Sequence, residues 1–253
     1  MLRHDFYRSQ SVARERNNFT SHTHKGTRLA DTMNMWPQPQ LAHDPAEWLG
    51  DAHPLVEQLG SADGLASLHA LADSLKLQPV ANLSALREFL RSYHERILVP
   101  HELPAIQIAF VHASRNEVRE LVAFDQQLTR EPALANFAAA SRRVGQAQIQ
   151  KLRPLRDERM AQRYLKAVES GEAHGWHTLV YGMTLVLYSL PLRQGLLGYA
   201  HQTTRGFIHA AARSLSFSEA ECRELFEELS GPLPMAVESM IGAGRASILS
   251  PTP

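Results

Sequence analysis

The chain of 253 residues is long enough for one large domain or two small ones, with a sizeable buried core. Its 26 basic and 26 acidic residues cancel, which argues against recruitment to nucleic acid or to a membrane surface by overall charge. The only cysteine, Cys222, excludes an intramolecular disulfide and disfavours a cysteine-based zinc site. No apolar run reaches the roughly 18–20 residues needed to span a bilayer. We therefore expect a soluble protein of a reducing compartment, the cytoplasm.

The N-terminal segment is polar, rich in arginine, serine, threonine and asparagine, and has no hydrophobic periodicity. We predict that residues 1–45 form a disordered or leader segment. An organelle transit peptide is one alternative, which three acidic residues disfavour, and a true start at Met33 or Met35 is another. An all-α domain is predicted for residues 46–246, and a disordered tail for residues 247–253.

From residue 54 onward, apolar residues recur at three- and four-residue steps, the spacing of a helix face. This pattern predicts helices over residues 54–75, 82–98, 103–116, 117–128, 134–152, 157–170, 177–189, 191–215 and 218–229. No stretch alternates with period two between turn signals, as a strand would. The fold is therefore predicted to be all-α, a single-domain bundle of about eight to ten helices.

Several helix boundaries carry local signals. Asn82 or Ser84 is predicted to cap the second helix, and Pro100 to end it. Ser218 and Glu221 have the spacing of a capping box. Because glycine weakens a helix, three glycines within residues 191–215 predict close approach of a neighbouring helix backbone: Gly195, Gly198 and Gly206.

Motifs of catalysis are scarce. The sequence has no glycine-rich phosphate loop and no GxSxG nucleophile elbow. A helical metalloenzyme with ligands at His174, His177, His201 and His209 is an alternative, but these residues lack the HExxH or ExxH pattern. We predict no dedicated metal site. A basic segment at residues 151–166 is interpreted as a solvated face, with a docking surface for an acidic partner as the alternative.

Five fragments of the sequence carry a resemblance to a known family: "LREFLRSYHERILVPHELPAIQIAF", "FDQQL", "AASRRVGQA", "HGWHTLVYG" and "LLGYAHQTTRGFIHAAARSL". Their order and spacing resemble those of the UreF family of urease accessory proteins. The positions that match family motifs include Asp125, Ser141 with Gly145, His177 with Gly182, and Arg213. The resemblance implies an all-α, UreF-like fold.

Three other signatures of the family are changed. The early "LPxGxFxHSxGLE" signature is replaced by "SADGLASLHALA", and the "PLGQ" region by "SFSE". The "HET" that usually follows the Ser-Met pair near the C-terminus is absent from "SMIGAGRASIL". The packing positions are kept while polar positions are lost, so the chain resembles a divergent member.

The resemblance implies a scaffold without enzymatic activity. Family members act with UreD (also called UreH) and the GTPase UreG to deliver nickel to apo-urease, and they regulate GTP use. This implies no tightly bound cofactor or metal in this chain, nickel handled by the complex, GTP bound by the partner, and a homodimer within the complex. A UreF-derived interaction protein that does not serve urease is the alternative. The matched positions imply five candidate partner-binding residues, for which helix packing is the other interpretation: His177, Arg213, Ser141, Gly145 and Gly182.

Overall fold

A computed structural model describes residues 64–249 of the chain. The predicted leader over residues 1–45 lies outside these residues, and the predicted domain bounds stay predictions. Within the described part every regular element is helical and no strand occurs, which confirms the predicted all-α class. Its ten α-helices are α1 (Gly64–Ser74), α2 (Leu83–Tyr93), α3 (Leu103–Ser114), α4 (Val118–Thr129), α5 (Ala135–Lys151), α6 (Arg159–Glu169), α7 (His177–Leu187), α8 (Leu192–Leu215), α9 (Glu219–Ser230) and α10 (Leu233–Leu249).

The connection between α2 and α3 is itself helical. A π-helical segment, His94–Glu102, joins them and contains Pro100. The prediction that Pro100 ends the helix is therefore wrong. In a π turn the N–H of each residue bonds to the carbonyl five residues back, as the N–H of Leu103 does to the oxygen of Leu98. This wider register accommodates the proline ring, which clashes with the preceding turn of an α-helix.

The helix ends follow the local sequence. The Oδ1 of Asn82 accepts from the N–H of Ala85 at 2.9 Å, so Asn82 caps α2. Ser218 and Glu221 form the predicted capping box at the start of α9. Gly171 ends the segment after α6 with a φ of +77°. At this angle the backbone lies in the left-handed region, which favours glycine.

Helix α7 is the most enclosed element of this part of the chain. It packs between α3 and α5, and buried residues lie on nearly all of its sides. A helix that is apolar all round belongs in the interior of a domain. The position of α7 therefore determines how its neighbours meet.

The long helix α8 packs against helices from both ends of the described chain. It packs against α1, α3, α9 and α10. Where it meets α2, the ring of Phe207 lies edge-on to Phe89 at 5.2 Å and to Tyr93 at 4.9 Å between centroids. Such edge-to-face geometry adds to the stabilisation from buried area.

Two glycines of α8, Gly195 and Gly198, lie nearest to side chains of α7, and the prediction for Gly206 stays a prediction. A Cβ on Gly195 would lie 2.3 Å from Cδ1 of Leu185, whereas one on Gly198 would lie 3.6 Å from the Tyr181 hydroxyl. The predicted approach of a neighbouring backbone is wrong at these two positions. Gly195 instead leaves room for the Leu185 side chain of α7.

Candidate functional site

One buried carboxylate fixes the loop that leads into α7. Asp125 on α4 has no exposed surface. Its Oδ1 accepts from the backbone N–H of His174 at 2.7 Å, and its Oδ2 from that of Gly175 at 3.0 Å. The hydroxyl of Tyr164 on α6 donates to the same Oδ2 at 2.6 Å. A charge removed from water is tolerated when several oriented donors surround it, so Asp125 ties α4, α6 and this loop together.

Further contacts orient the groups around Asp125. Burial, and secondly the charge of Asp125, raise the pKa of Tyr164 well above its ordinary value, so its hydroxyl remains a donor. The Nε1 of Trp176 donates to the Thr129 hydroxyl at 2.9 Å. The guanidinium of Arg142 lies over the Trp176 ring, 5.2 Å from its centroid. The loop is thus fixed by side chains from three helices.

Helix α5 touches this loop with backbone against backbone. A Cβ on Gly145 would lie 2.1 Å from the carbonyl oxygen of Gly175 and 2.6 Å from the nitrogen of His177. One turn earlier, the Ser141 hydroxyl accepts from the N–H of His177 at 3.2 Å. Gly175 itself has a φ of +72°. Ser141, Gly145 and His177 therefore meet where α5 passes the start of α7.

The side chain of His177 points into the core. It is 3% exposed and stacks on Tyr199 of α8, with ring centroids 5.7 Å apart and an interplanar angle of 27°. Further along α7, a Cβ on Gly182 would lie 2.5 Å from the carbonyl oxygen of Ile106 on α3. Both residues set the distance between helices in the interior.

The fifth predicted residue lies elsewhere. Arg213 is exposed in the last turn of α8. Of the five candidates, the structure brings Ser141, Gly145 and His177 together and places Gly182 further along the same helix as His177. Helix packing accounts for the contacts that these four residues make. A partner-binding role stays a prediction for all five.

A second buried carboxyl group was not predicted from the sequence. Glu102 is 5% exposed at the end of the π segment, where the hydroxyl of Tyr93 donates to its Oε2 at 2.5 Å. Tyr199 is a second hydrogen-bond partner. Burial raises the pKa of Glu102 to about 7, against the lowering effect of the two tyrosines.

The π segment also contributes a buried histidine. The Nε2 of His94 lies 2.8 Å from the Oγ1 of Thr204. That hydroxyl already donates to the carbonyl of Ala200 at 2.8 Å, so His94 is the donor and carries its proton on Nε2. Burial, and secondly His201, lower the pKa of His94 to about 4. This imidazole is therefore neutral at neutral pH.

Comparison with known proteins identifies the family. A model of the UreF family matches residues 80–230, more than half of the chain. The chain belongs to the UreF family. Its members are urease accessory proteins, which confirms the resemblance found in the sequence. No curated protein matches the chain.

The matched segment of this UreF-family chain contains both buried carboxyl groups and all five predicted residues. It ends at residue 230, where α9 also ends. It begins after the replaced "SADGLASLHALA" stretch. The match therefore follows the helices that surround the Asp125 loop and the Glu102 cluster.

The histidines of the metalloenzyme alternative do not assemble in this UreF-family fold. Across residues 64–249, no group of three His, Cys, Asp or Glu side chains is placed to hold a metal ion. His177 stacks on Tyr199, and His201 lies edge-on to Phe226 at 5.7 Å between centroids. These imidazoles pack against aromatic rings.

The basic segment after α5 lies on the surface. Its six basic side chains are all exposed, and Arg153 forms an ion pair with Glu169; they are Lys151, Arg153, Arg156, Arg159, Arg163 and Lys166. Both interpretations of this segment, a solvated face and a docking surface, are consistent with that exposure. None of the helices in the described part is long and apolar enough to cross a membrane.

Proposed function

We propose that this UreF-family chain is a non-enzymatic scaffold and GTPase regulator in the complex that delivers nickel to apo-urease. The observation that carries the proposal is the family match over residues 80–230, which coincides with the helices around the two buried carboxyl groups. In this role the chain binds UreD (UreH) and UreG and acts on apo-urease through them. Nickel is the cargo of the complex, and GTP is bound by UreG.

The internal chemistry of the fold supports a scaffold. Asp125 receives hydrogen bonds from a backbone loop and from Tyr164, and Glu102 from Tyr93 and Tyr199. Both carboxyl groups therefore bond to elements of their own chain. Such internal hydrogen bonds fix the orientation of helices and loops. A protein that bridges two partners needs rigid helices of this kind to present its binding surfaces.

The predicted dimer belongs to the same proposal. We expect two copies of the chain within the complex, since closed two-fold symmetry is the commonest arrangement of protein oligomers. Of the five predicted residues, Arg213 is the one with an exposed side chain. Ser141, Gly145, His177 and Gly182 act on partners indirectly, through the position of α7.

Co-purification tests the proposal. The full chain, carrying an affinity tag, is co-expressed with the UreD and UreG homologues of its own organism, and the eluate is analysed by size-exclusion chromatography with light scattering. We expect a complex that contains all three proteins. Elution of the tagged chain without either homologue, in the presence of GTP and nickel, would contradict the proposal.

A second candidate is a UreF-derived interaction protein that no longer serves urease. The observation that favours it is the loss of polar signatures outside the matched segment, including the early one at residues 61–72. A genome that carries this gene and lacks urease structural genes would favour the second candidate over the first.

A further inference from the structure

One face of α8 carries a row of nitrogen-bearing side chains. His201, Arg205, His209 and Arg213 recur every four residues, so they lie on one side of the helix. Helix α8 contains no aspartate or glutamate in its 24 residues. The first three of these side chains are half-buried and Arg213 is exposed. We call these four residues the α8 basic row.

Arg205, in the middle of the row, forms no ion pair with a carboxylate of residues 64–249. Its guanidinium lies over the ring of Phe226 on α9, 4.4 Å from the centroid. Its Nε is enclosed and has no hydrogen-bond partner among the described residues. Burial lowers its pKa. Other arginines of the described part, such as Arg87, Arg193 and Arg223, pair with glutamates.

The two histidines beside Arg205 are polar and only partly hydrated. Burial, and secondly the charge of Arg205, lower the pKa of His201. Burial, and secondly Arg213, lower the pKa of His209, whose Nδ1 is enclosed without a partner among the described residues. The row therefore offers hydrogen-bonding nitrogens on both sides of a cation that has already lost part of its water.

We propose that the α8 basic row, centred on Arg205, binds an acidic side chain of a partner protein. A guanidinium matches the two oxygens of a carboxylate, and its aromatic platform fixes its orientation before binding. The guanidinium has already lost part of its hydration in the folded chain. Binding a carboxylate therefore requires less further dehydration, and more of the free energy of the ion pair contributes to association. The identity of the partner as a member of the urease assembly complex rests on the proposed function.

The surroundings favour a single carboxylate over a polyphosphate chain. Helix α9, which supplies Phe226, carries five glutamates: Glu219, Glu221, Glu224, Glu227 and Glu228. A nucleic-acid backbone laid along α8 would pass close to this acidic helix and be repelled by it. One acidic side chain can reach Arg205 without following the helix.

Three substitutions test the site, and Arg205→Gln and Arg223→Gln form a matched pair. Arg205→Gln removes the cation, and Arg223→Gln removes an exposed arginine on the neighbouring helix that already pairs with Glu219. Arg205→Lys keeps the charge and loses the planar fork. Circular dichroism and thermal melting of each full-length variant establish that it is folded before binding is measured.

The first measurement uses NMR of the full chain titrated with an end-blocked peptide that has one glutamate among alanines. We expect the largest chemical-shift changes at Arg205 Nε–H and the His201 ring, with apparent affinity lowered about tenfold by Arg205→Gln, partly by Arg205→Lys and hardly by Arg223→Gln. The affinity of the wild-type chain should fall as salt rises. The absence of changes at Arg205, or equal losses in the Arg205→Gln and Arg223→Gln variants, would overturn the carboxylate site.

The second measurement is the Kd for the complex with the UreD and UreG homologues. We expect Arg205→Gln to weaken assembly about tenfold while Arg223→Gln leaves it unchanged. If the Arg205→Gln variant assembled with unchanged Kd, the proposal would be overturned. It would also be overturned if the substitution changed the self-association of the chain and left its affinity for the partners unchanged. A peptide response at Arg205 with no assembly by the wild-type chain would overturn the proposed function and leave the carboxylate site standing.

Discussion

Gly145 and Gly175 are in backbone contact: a Cβ on Gly145 would lie 2.1 Å from the carbonyl oxygen of Gly175. This contact sets the distance between α5 and the loop that Asp125 holds. The position at which α7 starts therefore depends on the missing side chain at Gly145 and on the buried carboxylate of Asp125. Both residues belong to segments that resemble UreF motifs in the sequence.

The Gly145 contact predicts the effect of adding a methyl group. We expect Gly145→Ala to lower the free energy of unfolding by about 3 kcal/mol, because the obstructing atoms are backbone and α5 would have to shift. Urea denaturation measures this loss.

The matched control is Gly198→Ala on α8, where the new Cβ would make an ordinary contact with Tyr181. Here alanine should raise stability by about 0.5–1 kcal/mol through its higher helix propensity. Equal effects of the two substitutions would contradict the assigned contact.

The Asp125 carboxylate predicts a local and a global effect. Asp125→Asn turns one acceptor into a donor that faces other donors, so we expect a loss of about 2–4 kcal/mol in the free energy of unfolding. The amides of His174 and Gly175, whose N–H groups donate to this carboxylate, should also lose protection in hydrogen exchange measured by NMR. Tyr164→Phe, which removes one hydrogen bond and keeps the carboxylate, should cost less. Full protection of both amides in Asp125→Asn would show that another group holds the loop.

Glu102 predicts a pH dependence of stability. Its pKa in the folded state is raised to about 7, so between pH 4.5 and 7 the folded chain binds more protons than the unfolded chain at this group. The contribution of Glu102 is fully present below pH 4.5 and is lost as pH rises through 7, by about 1.4 kcal/mol for each pKa unit. Glu102→Gln should remove this fall. Unfolding free energies of the two proteins, measured from pH 4 to 8, give the difference; a constant difference would contradict the assignment.

His94 predicts a change of stability with pH in the opposite direction. Its pKa is lowered to about 4 in the folded state, so between pH 6.5 and 4 the unfolded chain binds more protons. The stability from neutral His94 is present above pH 6.5 and is lost as pH falls through 4. His94→Gln keeps a donor for Thr204 and should reduce this acid-induced loss. Identical pH profiles for His94→Gln and the wild-type chain would contradict it.

The helices themselves could be predicted because their apolar residues recur with helical spacing. The boundary signals at Asn82, Ser218 and Glu221 depend only on neighbouring residues, and the structure confirms them. Pro100 misled the prediction because the penalty for proline applies to the α register, whereas the chain adopts a π register there. Hydrophobic periodicity carries no information about that choice.

The sequence indicates the buried carboxyl groups more weakly than it indicates the helices. Asp125 lies four residues after Leu121 and three before Leu128, on the apolar stripe of α4, and all three are buried. Glu102 lies four residues from both Leu98 and Ile106 in the same way. Such positions indicate a buried polar group. Their partners, Tyr164 and Tyr199, come from distant helices, and no local pattern relates them.

Urease activation in a clean deletion strain is the most direct test of a role for this chain in urease assembly. The strain must carry no second copy of the gene, and the readout is urease activity in extracts at saturating nickel, with urease protein quantified in parallel. We predict loss of activity with apo-urease still present, and its recovery when the wild-type gene or the Gly198→Ala control is returned. Normal urease activity in the deletion strain would contradict a role of this chain in urease assembly.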